Sequence, residues 1–534
     1  MDPENHTGNR EYKLKLVGKD ETRLEELKTQ MVFRCNEGNG ECFYNLGVKD
    51  NGHCEGITEE EFTETINNIN TIAEKNNYSV TLLSSNPVNE NKKVYEVLIR
   101  ENNDKYIDVK VVVAGAVDAS KSTFIGTLIT GKNDDGRGLA RSSVFNYEHE
   151  LKSGRTSSIA HHILGFDVVG KIVNYEAVNR LLTWSDIVKK SKKVISFFDL
   201  AGHEKYLRTT IMGLSSFFPD ICFIMVSANN GVSRITKEHI FLCITLKIPF
   251  IIVISKIDIC EDRKNVLSET TTMINNILKA PGIRRIPLRI KSDDDVIISA
   301  TKIYSETVVP IFKISNVTGV GLDYIKKFLN IVGKKNNKKE DGDPVEYHID
   351  NIFNVYGFGL VVGGNLLKGT VKVGDKLFLG PNNGEYQTVV VKTIQCKRVS
   401  VHEVSCGSYV CIGLKKKIPV RRGNVLVSSA EDKLLVKTFT AEINVLKSHS
   451  TTIKVGYEPI LHTSSIRQTV KILNIKDKKN LRNEAIDDEI ILRSGDSAVV
   501  TFEFKYNYQF LRVDTRLILC EGMTKIVGSV ISVN

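Results

Sequence analysis

Between residues 106 and 333 the chain alternates short, nearly unbroken apolar runs with longer amphipathic stretches. The runs are Val109–Ala114, Val194–Asp199, Ile221–Val226, Pro249–Ser255 and Pro310–Ser315. A strand buried on both faces loses the in–out alternation of a half-exposed one, so the pattern predicts an α/β domain with a mostly parallel sheet. Residues 21–105 read as a smaller α/β extension. There Thr58 precedes Glu59-Glu60-Glu61, and Phe62, Ile66, Ile69, Ile72 and Ala73 follow at helical spacing, which predicts a helix with acids at its start. Strands are expected at Ser79–Leu83 and Lys93–Ile99, and the polar residues 1–20 read as a loose tail. The run Gly333-Lys334-Lys335-Asn336-Asn337-Lys338-Lys339 marks a linker over 334–344. Helix signals then fade. Short strands broken by glycine turns such as Gly357, Gly363-Gly364, Gly369, Gly374, Gly380 and Gly384 predict one β-barrel over 345–430 and a second over 436–534.

Composition narrows the class. A chain of 534 residues is too long for one core, and 41% hydrophobic with 25% charged residues is ordinary for a soluble globular protein. No apolar run is long enough to span a bilayer, so no membrane role is expected. The start Met1-Asp2-Pro3-Glu4-Asn5 lacks a basic region and an apolar core, so no secretory signal is expected. Ten cysteines are scattered without a close pair motif. Cys35, Cys42, His53 and Cys54 match no common zinc-finger spacing, and reduced thiols in the cytoplasm are the expectation. The net charge of +10 fits either a solvated basic surface or an RNA or phosphate partner.

The sharpest chemistry follows the first apolar run. Gly115-Ala116-Val117-Asp118-Ala119-Ser120-Lys121-Ser122-Thr123 resembles a Walker A loop, whose backbone N–H groups and helix N-terminus cradle phosphates. Lys121 would reach the β and γ phosphates, and Ser122 would ligate Mg²⁺. Ser120 stands where the pattern has a second glycine. Asp199-Leu200-Ala201-Gly202-His203 ends the next apolar strand. Asp199 can hold a water on Mg²⁺, the Gly202 N–H can sense the γ-phosphate, and His203 can orient the attacking water. Ser255-Lys256-Ile257-Asp258 resembles the guanine-reading motif. A carboxylate at Asp258 accepts from guanine N1–H and the 2-amino group, which adenine lacks, so an ATP-driven enzyme is disfavoured. Lys256 would pack over the base, and Ser255 replaces the usual Asn. Ser315-Asn316-Val317 resembles a loop whose backbone contacts the guanine oxygen. Within Gly154-Arg155-Thr156-Ser157-Ser158, Thr156 is the expected second hydroxyl on Mg²⁺, made only with the γ-phosphate present, with Ser157 as the alternative.

With these residues the chain resembles the GTP-binding protein 1 and 2 family of translational GTPases, in the elongation factor Tu-like superfamily. The likeness extends through Asn36–Cys42, Asn133-Asp134-Asp135-Gly136-Arg137-Gly138, Ile314–Gly319, Leu379-Gly380-Pro381 and Ser465-Ile466-Arg467-Gln468-Thr469. It implies a P-loop GTPase domain and two barrels, with GTP and GDP and Mg²⁺ as ligands. It also implies a monovalent cation near Asp118, and that the cysteines near residues 35–54 are incidental. Partners implied are the ribosome and aminoacyl-tRNA, with the chain expected to act as a cytoplasmic monomer. The other reading is a GTP-dependent adaptor of RNA surveillance or RNA decay with little hydrolysis. Lys392, Lys397, Arg398, Lys415, Lys416, Lys417, Arg421 and Arg422 would form an RNA-contacting patch.

Overall fold

The computed structural model describes all residues except 1–2, 6, 18–20, 104–105, 146–149, 151–155, 157–158, 177–181, 204–205, 281–282, 336–342, 357–358, 417, 447–451, 480–490 and 522. The first unit is a four-stranded sheet of β1 (Arg10–Lys13), β2 (Glu41–Leu46), β3 (Tyr78–Pro87) and β4 (Lys93–Glu101), ordered β1-β2-β4-β3. Helices α1 (Glu21–Glu37) and α2 (Glu59–Lys75) pack on it. The predicted start of α2 is a reciprocal cap. Thr58 Oγ1 accepts from Glu61 N at 3.2 Å, and Glu61 Oε2 accepts from Thr58 N at 3.1 Å.

The expectation of a loose tail over residues 1–20 is corrected by β1, which pairs in parallel with β2. Polar residues build this strand because charge pairing adds to the burial of Tyr12 against Val48 and Val94. Arg34 is held by Glu11 and Glu4, both at 2.6 Å, and Arg10 meets Glu96 at 2.9 Å. Cys35 and Cys42 lie side by side in this core, their sulfurs 3.1 Å apart. All ten thiols are free, and among the described residues no group of three or more His, Cys, Asp or Glu side chains converges on a metal position.

The second unit is a seven-stranded sheet. Its strands are β5 (Ile107–Gly115), β6 (Ala160–Phe166), β7 (Lys193–Asp199), β8 (Ile221–Ser227), β9 (Phe250–Ser255), β10 (Ile286–Arg289) and β11 (Val308–Lys313), ordered β10-β11-β9-β8-β5-β7-β6. Every pairing is parallel except β6 with β7. β5, β7, β8 and β9 are buried along their whole length, which is why they read as unbroken apolar runs. The edge strands β6 and β10 carry mixed sequence and escaped that reading.

The first unit is locked onto the second through buried charge. Glu41 accepts from Lys193 at 2.7 Å and from Arg100 at 3.0 Å, and Arg100 also donates to Asn330 Oδ1 at 2.8 Å. Lys193 begins the strand that ends at Asp199, so the extension grips the root of a strand whose tip lies in the cleft described below.

Two barrels complete the chain. The first closes through Lys376–Asn382, Val425–Val427, Glu346–Val355, Gly359–Lys368, Tyr409–Leu414 and Glu385–Cys396, which pairs back to Lys376–Asn382. The second closes through Thr438–Val445, Ser497–Phe504, Ile466–Lys479, Ile460–Thr463, Arg516–Glu521 and Met523–Val533. The fold class is therefore the expected one. The linker begins anchored rather than loose: Lys334 donates to Gly407 O at 3.1 Å and Lys335 N donates to Asp220 Oδ1 at 3.3 Å.

Candidate functional site

A cleft of about 640 Å³ opens at the carboxyl ends of the parallel strands, where open α/β sheets place their ligands. β5 ends in Gly115, and the loop then turns into α3 (Lys121–Thr130). Gly115 has φ +153°, and a Cβ there would lie 2.5 Å from the Met225 carbonyl oxygen, so no other residue fits between the two strands. Asp118 and Ser120 both have φ +62°. Ser120 therefore occupies the left-handed conformation that the loop pattern assigns to glycine, at a cost of about 1–2 kcal/mol.

The phosphate end of the cleft brings together residues distant in sequence. Lys121 is buried and donates to Ala116 O at 2.9 Å. Burial lowers its pKa, while the Asp199 and Asp118 carboxylates pull the other way. Ser122 Oγ lies 2.5 Å from Asp199 Oδ2 and 2.7 Å from Thr156 Oγ1, and Thr156 Oγ1 is 3.4 Å from the same carboxylate. The three expected metal-site oxygens thus converge. Asp199 is raised to about 6 by burial, against Lys121 and the two hydroxyls. Its Oδ1 is buried without a hydrogen-bond partner. An orphaned carboxylate oxygen beside two hydroxyls suits a hard, water-bearing cation such as Mg²⁺. The remainder of the Gly154–Ser158 segment, including Ser157, lies outside the described residues.

Gly202 sits against Lys121. A Cβ there would be 2.3 Å from Lys121 Nζ and 2.8 Å from Gly115 O, so glycine leaves the space that the Lys121 ammonium occupies at the cleft wall. His203 lines the cleft next to it, its ring centre 6.2 Å from that of Tyr206.

At the other end Lys256 and Asp258 line the cleft, with Lys256 at φ +61°. Ser255 does not reach the cleft. It is fully buried, and its hydroxyl donates to Ala119 O at 3.1 Å with Val226 O at 3.4 Å. Ser255 thus ties the segment before Lys256 to the loop before α3 and takes no part in the cleft wall. Ser315 is likewise buried, its Oγ accepting from Val317 N and Thr318 N at 3.2 and 3.1 Å. That shapes the loop that puts Asn316 and Val317 on the cleft wall.

Sequence reasoning overlooked one wall. Asp134, Gly136, Arg137, Gly138 and Arg141 also line the cleft, although Asn133–Gly138 had served only as a mark of likeness. The signal was present in the acid–acid–glycine–basic–glycine run, which is turn chemistry with side-chain acceptors at its head.

The basic patch expected in the first barrel is corrected in part. Lys397 is buried and its Nζ lies 2.5 Å from Asp108 Oδ2 at the root of β5. Arg398 stacks over Trp184 at 4.5 Å, and Arg421 donates to Pro381 O and Tyr508 O at 2.9 and 2.7 Å. Three of the eight basic residues thus hold domains or loops together. Lys392, Lys415, Lys416 and Arg422 are exposed, as is Arg398 despite its stacking, and Lys417 lies outside the described residues.

Residues 108–370 match the family described as the elongation factor Tu GTP binding domain. Human GTP-binding protein 2 is 39% identical over 549 aligned positions, covering 100% of this chain and 88% of that protein. GTP-binding protein 1 of Xenopus laevis is 39% identical, covering 97% of this chain and 78% of that one. Among solved structures, translation elongation factor SelB of Methanococcus maripaludis, in complex with the GTP analogue GppNHp, superposes with a TM-score of 0.57 at 19% identity. That superposition covers 81% of this chain and 80% of SelB.

Proposed function

This chain belongs to the GTP-binding protein 1 and 2 family of translational GTPases, and on that footing we propose that it binds and hydrolyses GTP in order to engage aminoacyl-tRNA at the ribosome. The observation that carries the GTPase reading is the convergence of Ser122, Thr156 and Asp199 beside Lys121 and Gly202, in a cleft that Asp258 closes at its far end.

Asp258 accepts from the two guanine donors, and Lys256 packs along the base. Asn316 and Val317 border the base, and Ser255 and Ser315 hold these loops from beneath. The backbone of Gly115–Ser120 surrounds the phosphates, with Lys121 on the β and γ groups and Thr123 following at the helix start. Ser122, Thr156 and Asp199 would hold Mg²⁺, the two hydroxyls directly and the carboxylate through water, and the ion would supply positive charge against the nucleotide's phosphates. Gly202 N–H meets the γ-phosphate, and His203 orients the attacking water. Asp118, in the same loop, would contribute its carboxylate to a monovalent cation. Among the described residues no helix is long and apolar enough to cross a membrane.

Three measurements test this. Asp258→Asn exchanges an acceptor for a donor and should shift preference from GTP to XTP; equal affinities of wild type and variant for GTP, XTP and ATP would exclude guanine reading. Lys121→Ala should abolish GTP binding, whereas His203→Ala should keep it and slow hydrolysis about 10²–10⁴-fold. Calorimetric affinities that fall equally in both variants would remove that division of roles. Filter binding of charged tRNA with a GTP analogue and with GDP, over a salt series, tests the partner. Binding that ignores the nucleotide state would exclude delivery. Lys415→Glu with Lys416→Glu should weaken binding and flatten the salt slope. GTP bound without turnover, with or without ribosomes, would favour the adaptor of RNA surveillance or decay.

A further inference from the structure

We infer that the segment Asp134–Arg141 is an additional nucleotide-binding element, whose Arg137 and Arg141 hold the ribose and α-phosphate shared by GDP and GTP. This rests on the GTPase reading and deepens it at a wall of the cleft to which no motif had been assigned.

The segment is built, not draped. Asp134 N donates to Asn316 O at 2.8 Å, which fastens it to the base-side loop. The buried Asp134 carboxylate accepts from Ala140 N at 2.9 Å and Gly136 N at 3.1 Å, and Asp135 Oδ1 accepts from Arg137 N and Leu139 N at 2.8 and 3.1 Å. The short helix Leu139–Ser142 then packs on α3: a Cβ on Gly126 would lie 2.1 Å from Ala140 O. At Gly138, with φ +102°, a Cβ would lie 2.3 Å from Arg141 Nε, so the guanidinium folds back across that glycine. Glycine at Gly138 allows both the left-handed turn and the close approach of the side chain.

Placement decides the ligand. The segment spans from the base-side loop at Asn316 to the flank of α3, whose first turn carries Ser122 and Thr123. A guanine nucleotide running from Asp258 to Lys121 has its ribose and α-phosphate between those two anchors. A planar guanidinium suits phosphate and hydroxyl oxygens, because its N–H groups form a fork. Because GDP and GTP share that portion, the contact stabilises both nucleotides equally and leaves the chemical step alone.

The test is calorimetry of GDP and of a non-hydrolysable GTP analogue, with single-turnover hydrolysis at saturating GTP. Arg141→Ala should weaken both nucleotides about 10–100-fold and Arg137→Ala, which is exposed, about 3–10-fold, with the hydrolysis rate unchanged. Arg141→Lys should recover part of the loss, since it keeps charge without the fork. Hydrogen exchange on the unaltered chain provides a second reading, with amides of 134–141 slowed by GDP. Unchanged affinities, or absent protection, overturn the proposal. So does a loss confined to the GTP analogue with slowed hydrolysis, which would put the arginines at the γ-phosphate. An unaltered chain that binds neither nucleotide would instead bring down the GTPase reading itself.

Discussion

At the scale of single residues the cleft depends on what glycine and serine allow. Gly202 leaves no space for a methyl group, with Lys121 Nζ 2.3 Å from where its Cβ would be. Gly202→Ala should therefore displace the Lys121 ammonium, press on the backbone at Gly115, and cut affinity for a GTP analogue at least about tenfold, equivalent to about 1.4 kcal/mol. Calorimetry with unchanged affinity would show that the lysine has room to move. Ser120 makes the opposite case. Its φ of +62° strains a serine by about 1–2 kcal/mol, and glycine would relieve this while adding about 0.5–1 kcal/mol of unfolded-chain entropy. Ser120→Gly is expected to raise the melting midpoint slightly, by the remaining fraction of about 1 kcal/mol. A lowered midpoint would mean the hydroxyl makes a compensating contact.

At the scale of elements the loops act as a set. The Ser255 hydroxyl reaches from the end of β9 to the carbonyl of Ala119 in the loop before α3. Removing it leaves a buried carbonyl without its donor, which costs about 1–3 kcal/mol. Ser255→Ala should weaken GDP and GTP together although the side chain touches neither, because the loop and the base-reading segment lose their common register. A variant with wild-type affinity for both would show that strand pairing alone maintains the register.

At the scale of the molecule the domains are joined by buried polar contacts. Lys397 reaches Asp108, Lys110 donates to Asn365 Oδ1 at 3.0 Å, and Asn365 donates to Ser216 O at 2.7 Å. Around them His161 stacks on Phe198 at 4.5 Å, with Tyr409 of the first barrel edge-on. Lys397→Ala would leave the buried Asp108 carboxylate with the Ser196 hydroxyl but without its ion-pair partner, a loss of up to roughly 3–5 kcal/mol. The expected outcome is a first barrel detached from the GTPase domain, seen as a larger radius of gyration in small-angle scattering. An unchanged radius would show that the aromatic contacts suffice. The pair also defines a pH window. Lys397 lowers the Asp108 pKa despite burial, and Asp108 raises that of Lys397. The carboxylate's share of the docking energy is present above its unfolded pKa and lost as pH falls through its lowered folded one. The lysine's share is present below its unfolded pKa and lost as pH rises through its raised folded one. Docking should therefore hold across the neutral range and fail at both extremes, which scattering against pH would follow.

The sequence by itself determined the features that local physics encodes: buried strands as apolar runs, the acid-headed helix after Thr58, the glycine-punctuated barrels, and the short motifs at strand ends. Each depends on residues that are neighbours along the chain, so their spacing carries the information. Only the tertiary structure decided what depends on neighbours in space. It drew Arg10–Lys13 out of an apparent tail into a sheet, because ion pairs of Arg10 and Glu11 with distant Glu96 and Arg34 joined the burial of Tyr12. It buried Lys397 under a carboxylate 289 positions away, a lysine that in sequence is indistinguishable from its solvent-facing neighbours. It withdrew Ser255 from the cleft and made it a tie between loops. It also laid Asp134–Arg141 along the nucleotide cleft, since a turn's own chemistry fixes its shape while the surface it packs against fixes where its arginines lie.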